Sequence, residues 1–141
     1  MKDGFVRCAS ATVDIKVADT DYNTSNIIKA IEDAAQNDIK LIVFPELCIT
    51  GYTCAAVVNG GHIKGLVPKL NIPNYAEFYE ARHFTAGKNE VTYVNINGEE
   101  VPFGANILFK TDACEDFVLA VEICEDLWVP NPPSTSHALA G

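Results

Sequence analysis

Three residues with the side chains of a cysteine hydrolase each follow an apolar run of the chain. They are Glu46, Lys69 and Cys124, and the runs before them cover residues 41–44, 63–67 and 118–123. A carboxylate within hydrogen-bond reach can take the proton of a thiol as a general base and return it to a leaving amine. An ammonium group favours the thiolate and stabilises the oxyanion of a tetrahedral intermediate. This combination predicts acyl transfer from an amide through a thioester, followed by hydrolysis.

The apolar runs indicate buried strands, whose carboxyl ends would place these side chains at a ligand-binding edge of a sheet. Strands are predicted over residues 5–13 and 41–44. The helix between them begins after a turn rich in capping residues at 19–24 and ends at Asn37-Asp38. A strand, a helix and a strand in this order predict a parallel β-α-β unit with a right-handed crossover. The expected fold class is therefore α/β.

The rest of the chain carries the signals of further strands. Gly60-Gly61 and Asn97-Gly98 have the composition of hairpin turns. The last predicted strand would have Cys124 at its carboxyl end, and Ser134 is expected to cap a helix that remains incomplete at Gly141. The predicted strands cover residues 55–59, 62–67, 91–96, 99–101, 107–110 and 117–122.

Each of the three motifs also has a plainer interpretation when it is taken alone. A lone cysteine at a strand end is usually a small core residue. Pro45-Glu46 has the composition of a turn, and Pro68-Lys69 that of solvated surface. The joint occurrence of the three motifs, each after an apolar run, favours an active site.

Composition limits the partners that we expect. The chain has 141 residues, enough for one domain, and a net charge of −9 without a cluster of Lys and Arg, so nucleic acid and anionic membranes are not expected to bind. No apolar stretch approaches the length of a membrane helix, and no signal-peptide pattern precedes the first strand. Five cysteines without CxxC spacing indicate thiols in a reducing cytoplasm. Three scattered histidines predict no metal site.

The three motifs resemble those of the nitrilase, or carbon–nitrogen hydrolase, superfamily. The matching segments are residues 44–47, 67–69 and 122–125. Within the superfamily, residues 48–54, 74–84 and 124–130 are similar to the glutaminase domains of glutamine-dependent NAD synthetases. The resemblance implies a four-layer α-β-β-α sandwich and a hydrolase that releases ammonia from L-glutamine through a cysteine thioester.

The resemblance also assigns roles to individual residues. It implies that Glu46 is the base, Lys69 the oxyanion stabiliser and Cys124 the nucleophile. Glu80 matches a further glutamate that orients the lysine and the substrate amide. The positions that hold the glutamine side chain and its α-amino group match Tyr52, Tyr75 and Glu125. For the two tyrosines, amphipathic packing at a loop is the alternative.

The chain departs from this pattern at one junction. In the family, a helix and a strand separate the two segments that meet here at Cys54-Ala55, so an internal piece is expected to be missing. We therefore expect residues 1–141 to be one partial domain and the synthetase domain to be absent. The family's ATP, magnesium and deamido-NAD would bind that absent domain, whereas the glutaminase step would need no cofactor. Exposed strand edges favour a homo-oligomer.

Two other functions remain open on the sequence. One is a free-standing nitrilase-type amidase that acts on another small amide, although Tyr75 and Glu125 favour an amino-acid substrate. The other is a non-catalytic remnant that only binds a partner or associates with copies of itself.

Overall fold

The computed structural model describes residues 5–16, 19–45, 48–49 and 54–141. These residues divide into two compact units, Met1–Tyr52 and Thr53–Gly141. Helices and strands occur in both units, as expected for the α/β class. Within the described residues, no helix combines the length and the apolar character needed to cross a membrane.

The first unit contains the predicted β-α-β arrangement. Strand β1 (Cys8–Ser10) and strand β2 (Leu41–Val43) pair in parallel, and helix α1 (Thr20–Gln36) connects them. Helix α1 begins earlier than predicted, inside the expected turn at 19–24, because the side chain of Asp19 accepts a hydrogen bond of 3.0 Å from the backbone N–H of Tyr22 and caps the helix there. Strand β1 is shorter than the predicted 5–13, since its pairing with β2 extends over three residues only.

Helix α1 buries a narrower face than its apolar spacing predicts. Ile27 and Ala34 are buried, whereas Ile28 and Ile31 remain about half exposed. Asn23, which is also buried, bonds through its side chain to the backbone N–H and carbonyl of Lys16. The contact of α1 within its unit therefore combines a few apolar residues with one polar anchor.

A four-stranded sheet forms the larger part of the second unit. Its strands are β3 (Cys54–Asn59), β4 (His62–Pro68), β5 (Thr92–Ile96) and β6 (Glu99–Phe103), in the order β3-β4-β6-β5. Both predicted hairpins are present, and positive φ angles at residues 60–61 and 97–98 give their turns the twist that tight hairpins need. Strands β4 and β6 pair in parallel at Leu66 and Phe103, and Val67 and Val101 are almost fully buried.

The predicted strand before Cys124 ends earlier than expected. Strand β7 (Phe109–Thr111) pairs antiparallel with β8 (Cys114–Leu119), where the sequence predicted 107–110 and 117–122. Phe109 lies opposite Leu119, so β8 has no partner in β7 beyond that residue and its ladder stops there. Residues 120–123 continue without regular structure. The prediction that Cys124 directly follows a strand is therefore wrong.

The final helix also differs from its prediction. Helix α2 covers Pro133–Ala140, with Pro132 at the N-cap and Pro133 in its first turn. Ser134 lies inside the helix and does not cap it. Its backbone N–H instead donates to a carboxylate oxygen of Glu122 at 3.0 Å, and this side chain supplies the acceptor that Ser134 was expected to provide.

Candidate active site

Lys69 is buried at the end of strand β4. Only 1% of the residue is exposed, and its Nζ donates to Oε2 of Glu80 at 2.8 Å. The carbonyl of Lys69 accepts a hydrogen bond of 2.8 Å from the backbone N–H of Gly87, which anchors the main chain at this point. A buried ammonium is costly unless it is paired and hydrogen-bonded, and this one is. The interpretation of Pro68-Lys69 as solvated surface is therefore wrong.

Glu80 begins a 3₁₀ turn, Glu80–Arg82, in the segment between β4 and β5. Its side chain is 7% exposed, and Oε2 is occupied by Lys69. Oε1 is buried and has no hydrogen-bond partner among the described residues. A buried carboxylate oxygen without a donor carries a desolvation cost, so this atom is suited to accept a hydrogen bond from a group that enters the site.

Cys124 starts a second 3₁₀ turn, Cys124–Leu127, and its backbone is unusual. Its φ angle is +50°, a left-handed value that non-glycine residues adopt rarely and at a cost of roughly 1 kcal/mol. Ile123 before it is extended, so the chain changes direction sharply at the cysteine. The residue is exposed to solvent. The thiol of Cys124 is therefore presented by a sharp turn and not by the end of a strand.

Asp126 joins the Cys124 turn to the residues that follow Lys69. Its carboxylate accepts hydrogen bonds from the backbone N–H of Leu70 at 3.1 Å and of Asn71 at 2.7 Å. The side-chain amide of Asn71 donates a further bond of 2.8 Å to Oδ1. Sequence reasoning gave this residue no role. The only available signal was a carboxylate two positions after the cysteine.

A second connection between the same two segments is exposed. The hydroxyl of Tyr75 donates to Oε2 of Glu125 at 2.8 Å. This hydrogen bond, together with the negative charge of Glu125, raises the pKa of Tyr75 above its usual value. The ring of Tyr75 also packs edge-on against Phe78, with ring centroids 5.7 Å apart. The tyrosine therefore contributes both packing and a hydrogen bond at the surface of the site.

The structure thus connects five of the seven predicted site residues. The hydrogen bonds of Asp126, Tyr75 and Lys69 place Lys69 and Glu80 in one network with the turn that carries Cys124 and Glu125. The other two predicted residues, Glu46 and Tyr52, lie outside the described residues. Their roles, like those of the other five, remain predictions.

The chemistry of this network is that of a thiol, an ammonium and carboxylates. Such groups can carry out nucleophilic substitution at a carbonyl carbon with stabilisation of a developing oxyanion. Among the described residues, no group of three or more His, Cys, Asp or Glu side chains is placed to hold a metal ion.

Comparison with known proteins agrees with these features. Residues 7–86 match the carbon–nitrogen hydrolase family. The glutamine-dependent NAD(+) synthetases of Mycobacterium tuberculosis (strain H37Rv) and Mycobacterium leprae are 31% and 28% identical to this chain over 98% of its length. The chain spans only 27% of the length of either relative. The alignment runs over 184 positions, whereas the chain has 141 residues, so at least 43 positions have no counterpart in this chain.

Two solved structures resemble the chain. A glutamine-dependent NAD(+) synthetase from Cytophaga hutchinsonii superposes with a TM-score of 0.75 and 27% identity, over 85% of this chain and 28% of that one. The synthetase from Acinetobacter baumannii, solved with ADP, gives a TM-score of 0.60 at 23% identity, over 88% of this chain and 28% of that one. These similarities confirm the prediction of an incomplete α/β fold of nitrilase type. Because the family match covers more than half of its residues, the chain belongs to the carbon–nitrogen hydrolase family.

Proposed function

We propose that this chain is part of a glutaminase domain, which hydrolyses L-glutamine to glutamate and ammonia through a cysteine thioester. The observation that carries the proposal is the buried Lys69–Glu80 pair, which Asp126 ties to the turn presenting Cys124. A fully buried ammonium beside an exposed thiol turn is costly to maintain for stability alone. At a site of acyl transfer, however, the ammonium of Lys69 and the thiol of Cys124 act together, one to stabilise the oxyanion and the other as the nucleophile.

The proposed reaction uses side chains and one backbone amide. Sγ of Cys124 bonds to the amide carbon of glutamine while Glu46 accepts the thiol proton. The ammonium of Lys69 and the N–H of Glu125 stabilise the resulting oxyanion. Glu46 then returns the proton to the nitrogen, the C–N bond breaks and ammonia leaves. Water attacks the thioester with Glu46 as base, which releases glutamate and restores the thiol.

Four residues are proposed to hold the substrate. Glu80 orients Lys69 through Oε2. Its Oε1, for which the described part of the chain provides no hydrogen-bond partner, would accept a hydrogen bond from the substrate amide N–H₂. Glu125 would bind the α-ammonium of glutamine, because a carboxylate pairs strongly with a cation. The hydroxyls of Tyr52 and Tyr75 would hydrogen-bond the rest of the substrate.

We further propose that the ammonia passes to a synthetase domain, where a ligase reaction amidates deamido-NAD with ATP and magnesium. The names of the relatives support this step, and the glutaminase step itself is proposed to need no cofactor.

We propose residues 1–141 as one partial domain, with the missing alignment positions near 54–55. A reducing cytoplasm suits its five cysteines, and a homo-oligomer would cover its exposed strand edges.

A non-catalytic role is the second candidate, because at least 43 alignment positions lack a residue in this chain. The two candidates are distinguished by assaying the protein for ammonia release from glutamine. We expect Cys124→Ala to lower kcat at least about a thousandfold, because nucleophile removal has effects of this size. Cys8→Ala, which alters another exposed cysteine, should leave the rate unchanged.

The choice of substrate completes this test. Glutamine should be hydrolysed with a much higher kcat/KM than simple aliphatic amides such as propionamide, since only glutamine offers an ammonium to Glu125. Equal rates for both substrates would indicate a general amidase. A wild-type protein that hydrolyses neither, with Cys124 alkylated no faster than Cys8, would indicate the non-catalytic remnant.

A further inference from the structure

We propose that Asp126 is a positioning residue, which holds Lys69 and Cys124 at a fixed separation for the thiol chemistry. This inference rests on the proposed function and adds a residue to it. Asp126 follows Cys124 by two positions, and its hydrogen-bond donors follow Lys69 by one and two positions. The carboxylate therefore joins the main chain beside the ammonium to the main chain beside the sulfur.

The burial of Asp126 shows that this connection is unusual. The residue is 1% exposed, and its carboxylate receives hydrogen bonds from amide N–H groups. A buried carboxylate is costly unless several donors satisfy it, and here two backbone amides and one side-chain amide do so. Oδ1 accepts from Leu70, from the backbone of Asn71 and from the side chain of Asn71, while Oδ2 accepts from Leu70.

Asp126 also maintains the strained turn at Cys124. Its backbone N–H donates to the carbonyl of Ile123 at 3.1 Å, which closes the turn around the cysteine. A residue with a φ of +50° keeps that conformation only when its surroundings hold it there. The backbone of Asp126 closes the turn, and its side chain attaches the turn to the Lys69 segment. The exposed Tyr75–Glu125 bond is a weaker connection because water competes for both groups.

The test uses Asp126→Asn in the natural protein. The carboxamide loses the negative charge and replaces one acceptor oxygen by an NH₂ group that cannot accept from Leu70. We expect kcat for glutamine to fall about 30- to 100-fold, because a displacement of about 1 Å costs this much, while KM changes less than about threefold. Alkylation of Cys124 should slow about tenfold at neutral pH and recover in alkaline buffer, since a more distant ammonium favours the thiolate less.

Two further variants make the test specific. Asn71→Ala removes only the side-chain donor and should produce the same changes, about three- to fivefold in size, with little risk of misfolding. Asp19→Asn is the matched control, because it makes the same substitution at a helix cap where Asn and Asp are equally effective. It should leave kcat and the alkylation profile unchanged.

The outcomes separate this inference from the proposed function. If wild-type Cys124 reacts no faster than Cys8, the proposed function fails and the inference fails with it. If wild-type Cys124 reacts faster but folded Asp126→Asn keeps its alkylation profile, only the inference is overturned. The inference is also overturned if Asp126→Asn lowers Tm and kcat without changing that profile, because the residue would then be structural. Should Asp126→Asn not fold, an unchanged profile in Asn71→Ala overturns the inference.

Discussion

Two hydrogen-bonded pairs of equal length lie in the second unit and differ in their surroundings. Lys69 and Glu80 are joined at 2.8 Å with side chains that are 0% and 7% exposed. Tyr75 and Glu125 are also joined at 2.8 Å, but 57% of Tyr75 is exposed. Both pairs belong to the hydrogen-bonded network around Cys124. Because of this difference in burial, the Lys69–Glu80 pair is a fixed part of the fold, whereas the Tyr75–Glu125 pair is open to displacement by a group from solution.

Burial makes the first pair a fixed part of the structure. When one partner of a buried ion pair is removed, the other charge remains without water or a counter-ion. An exposed pair loses much less, because water replaces the missing partner. The Lys69–Glu80 pair is therefore suited to stabilise charge in the reaction without moving. Under the proposed function, Glu125 would exchange the phenol of Tyr75 for a substrate ammonium at low cost.

The largest effect is expected from Lys69→Met, which breaks the buried pair and leaves the Glu80 carboxylate alone. We expect the free energy of unfolding to fall by about 3–5 kcal/mol, as measured by urea denaturation, and hydrolysis of glutamine to be lost. The double variant Lys69→Met/Glu80→Met should recover much of the stability but none of the activity, since it removes the Glu80 charge together with its partner.

Lys40→Met is the matched control for this comparison. Lys40 pairs with Asp38 on the surface and thereby holds the pKa of Asp38 below its usual value. Because both groups are exposed, the same substitution should leave the denaturation midpoint almost unchanged. A loss of stability in Lys69→Met no greater than in Lys40→Met would contradict the assignment of Lys69–Glu80 as a buried pair.

A smaller effect is expected at Gly87, which approaches the main chain of the buried pair. A Cβ at Gly87 would lie 2.5 Å from Cβ and 2.6 Å from Cγ of the Pro68 ring. Gly87→Ala should therefore push the Gly87 N–H away from the Lys69 carbonyl, lower stability by about 1–3 kcal/mol and lower kcat. Thermal melting and the glutaminase assay measure the two changes.

Gly98→Ala separates displacement of Lys69 from a general loss of stability. Gly98 has a φ of +88°, and a Cβ added there would meet no atom within 4 Å, so alanine introduces backbone strain without a clash. It should lower Tm with unchanged kcat. If Gly87→Ala also lowers Tm without changing kcat, the position of Lys69 does not depend on its contact with Gly87.

The elements of the fold could be predicted where their signals are local. The capping residues at 19–24 indicate that α1 begins in this segment, although not that it begins directly after Asp19, and residues 60–61 and 97–98 mark two hairpins, because each turn conformation depends on its own residues. The end of β8 could not be predicted, because it depends on how far the partner strand β7 extends. The apolar run continues as far as Ile123, whereas the pairing of β8 with β7 ends at Leu119.

The site could be predicted by residue type but not by environment. The burial of Lys69 depends on Glu80, eleven positions further along in a segment without a periodic pattern. The donors to Asp126 are 55 and 56 positions away, a pairing that no local pattern indicates. The positive φ of Cys124 is equally hidden, because no glycine marks it. Each missing feature arises from contacts between distant segments.

At the exposed pair, the expected effect is on binding and not on stability. Glu125→Gln keeps the shape of the side chain but removes the charge proposed to hold the α-ammonium of glutamine. KM should rise about tenfold or more, with kcat changed much less and Tm unchanged, because a hydrogen bond to a charged group contributes this much. Steady-state kinetics with glutamine tests this. A fall in kcat with constant KM would instead place Glu125 in the chemical step.

The smallest effect is on the ionisation of Tyr75. The hydrogen bond to Glu125 favours the protonated phenol, so its pKa lies above the ordinary value of about 10. Any stability from this bond is present below the unfolded pKa and is lost as pH rises through the folded one. The ultraviolet titration curve of Tyr75→Phe, subtracted from that of the wild type, should show the ionisation of Tyr75 at a pH above the ordinary pKa of tyrosine. Glu125→Gln should move this transition to lower pH. A transition that Glu125→Gln does not move would mean that the bond does not persist in solution, and the exposed pair would then contribute nothing that a substrate could displace.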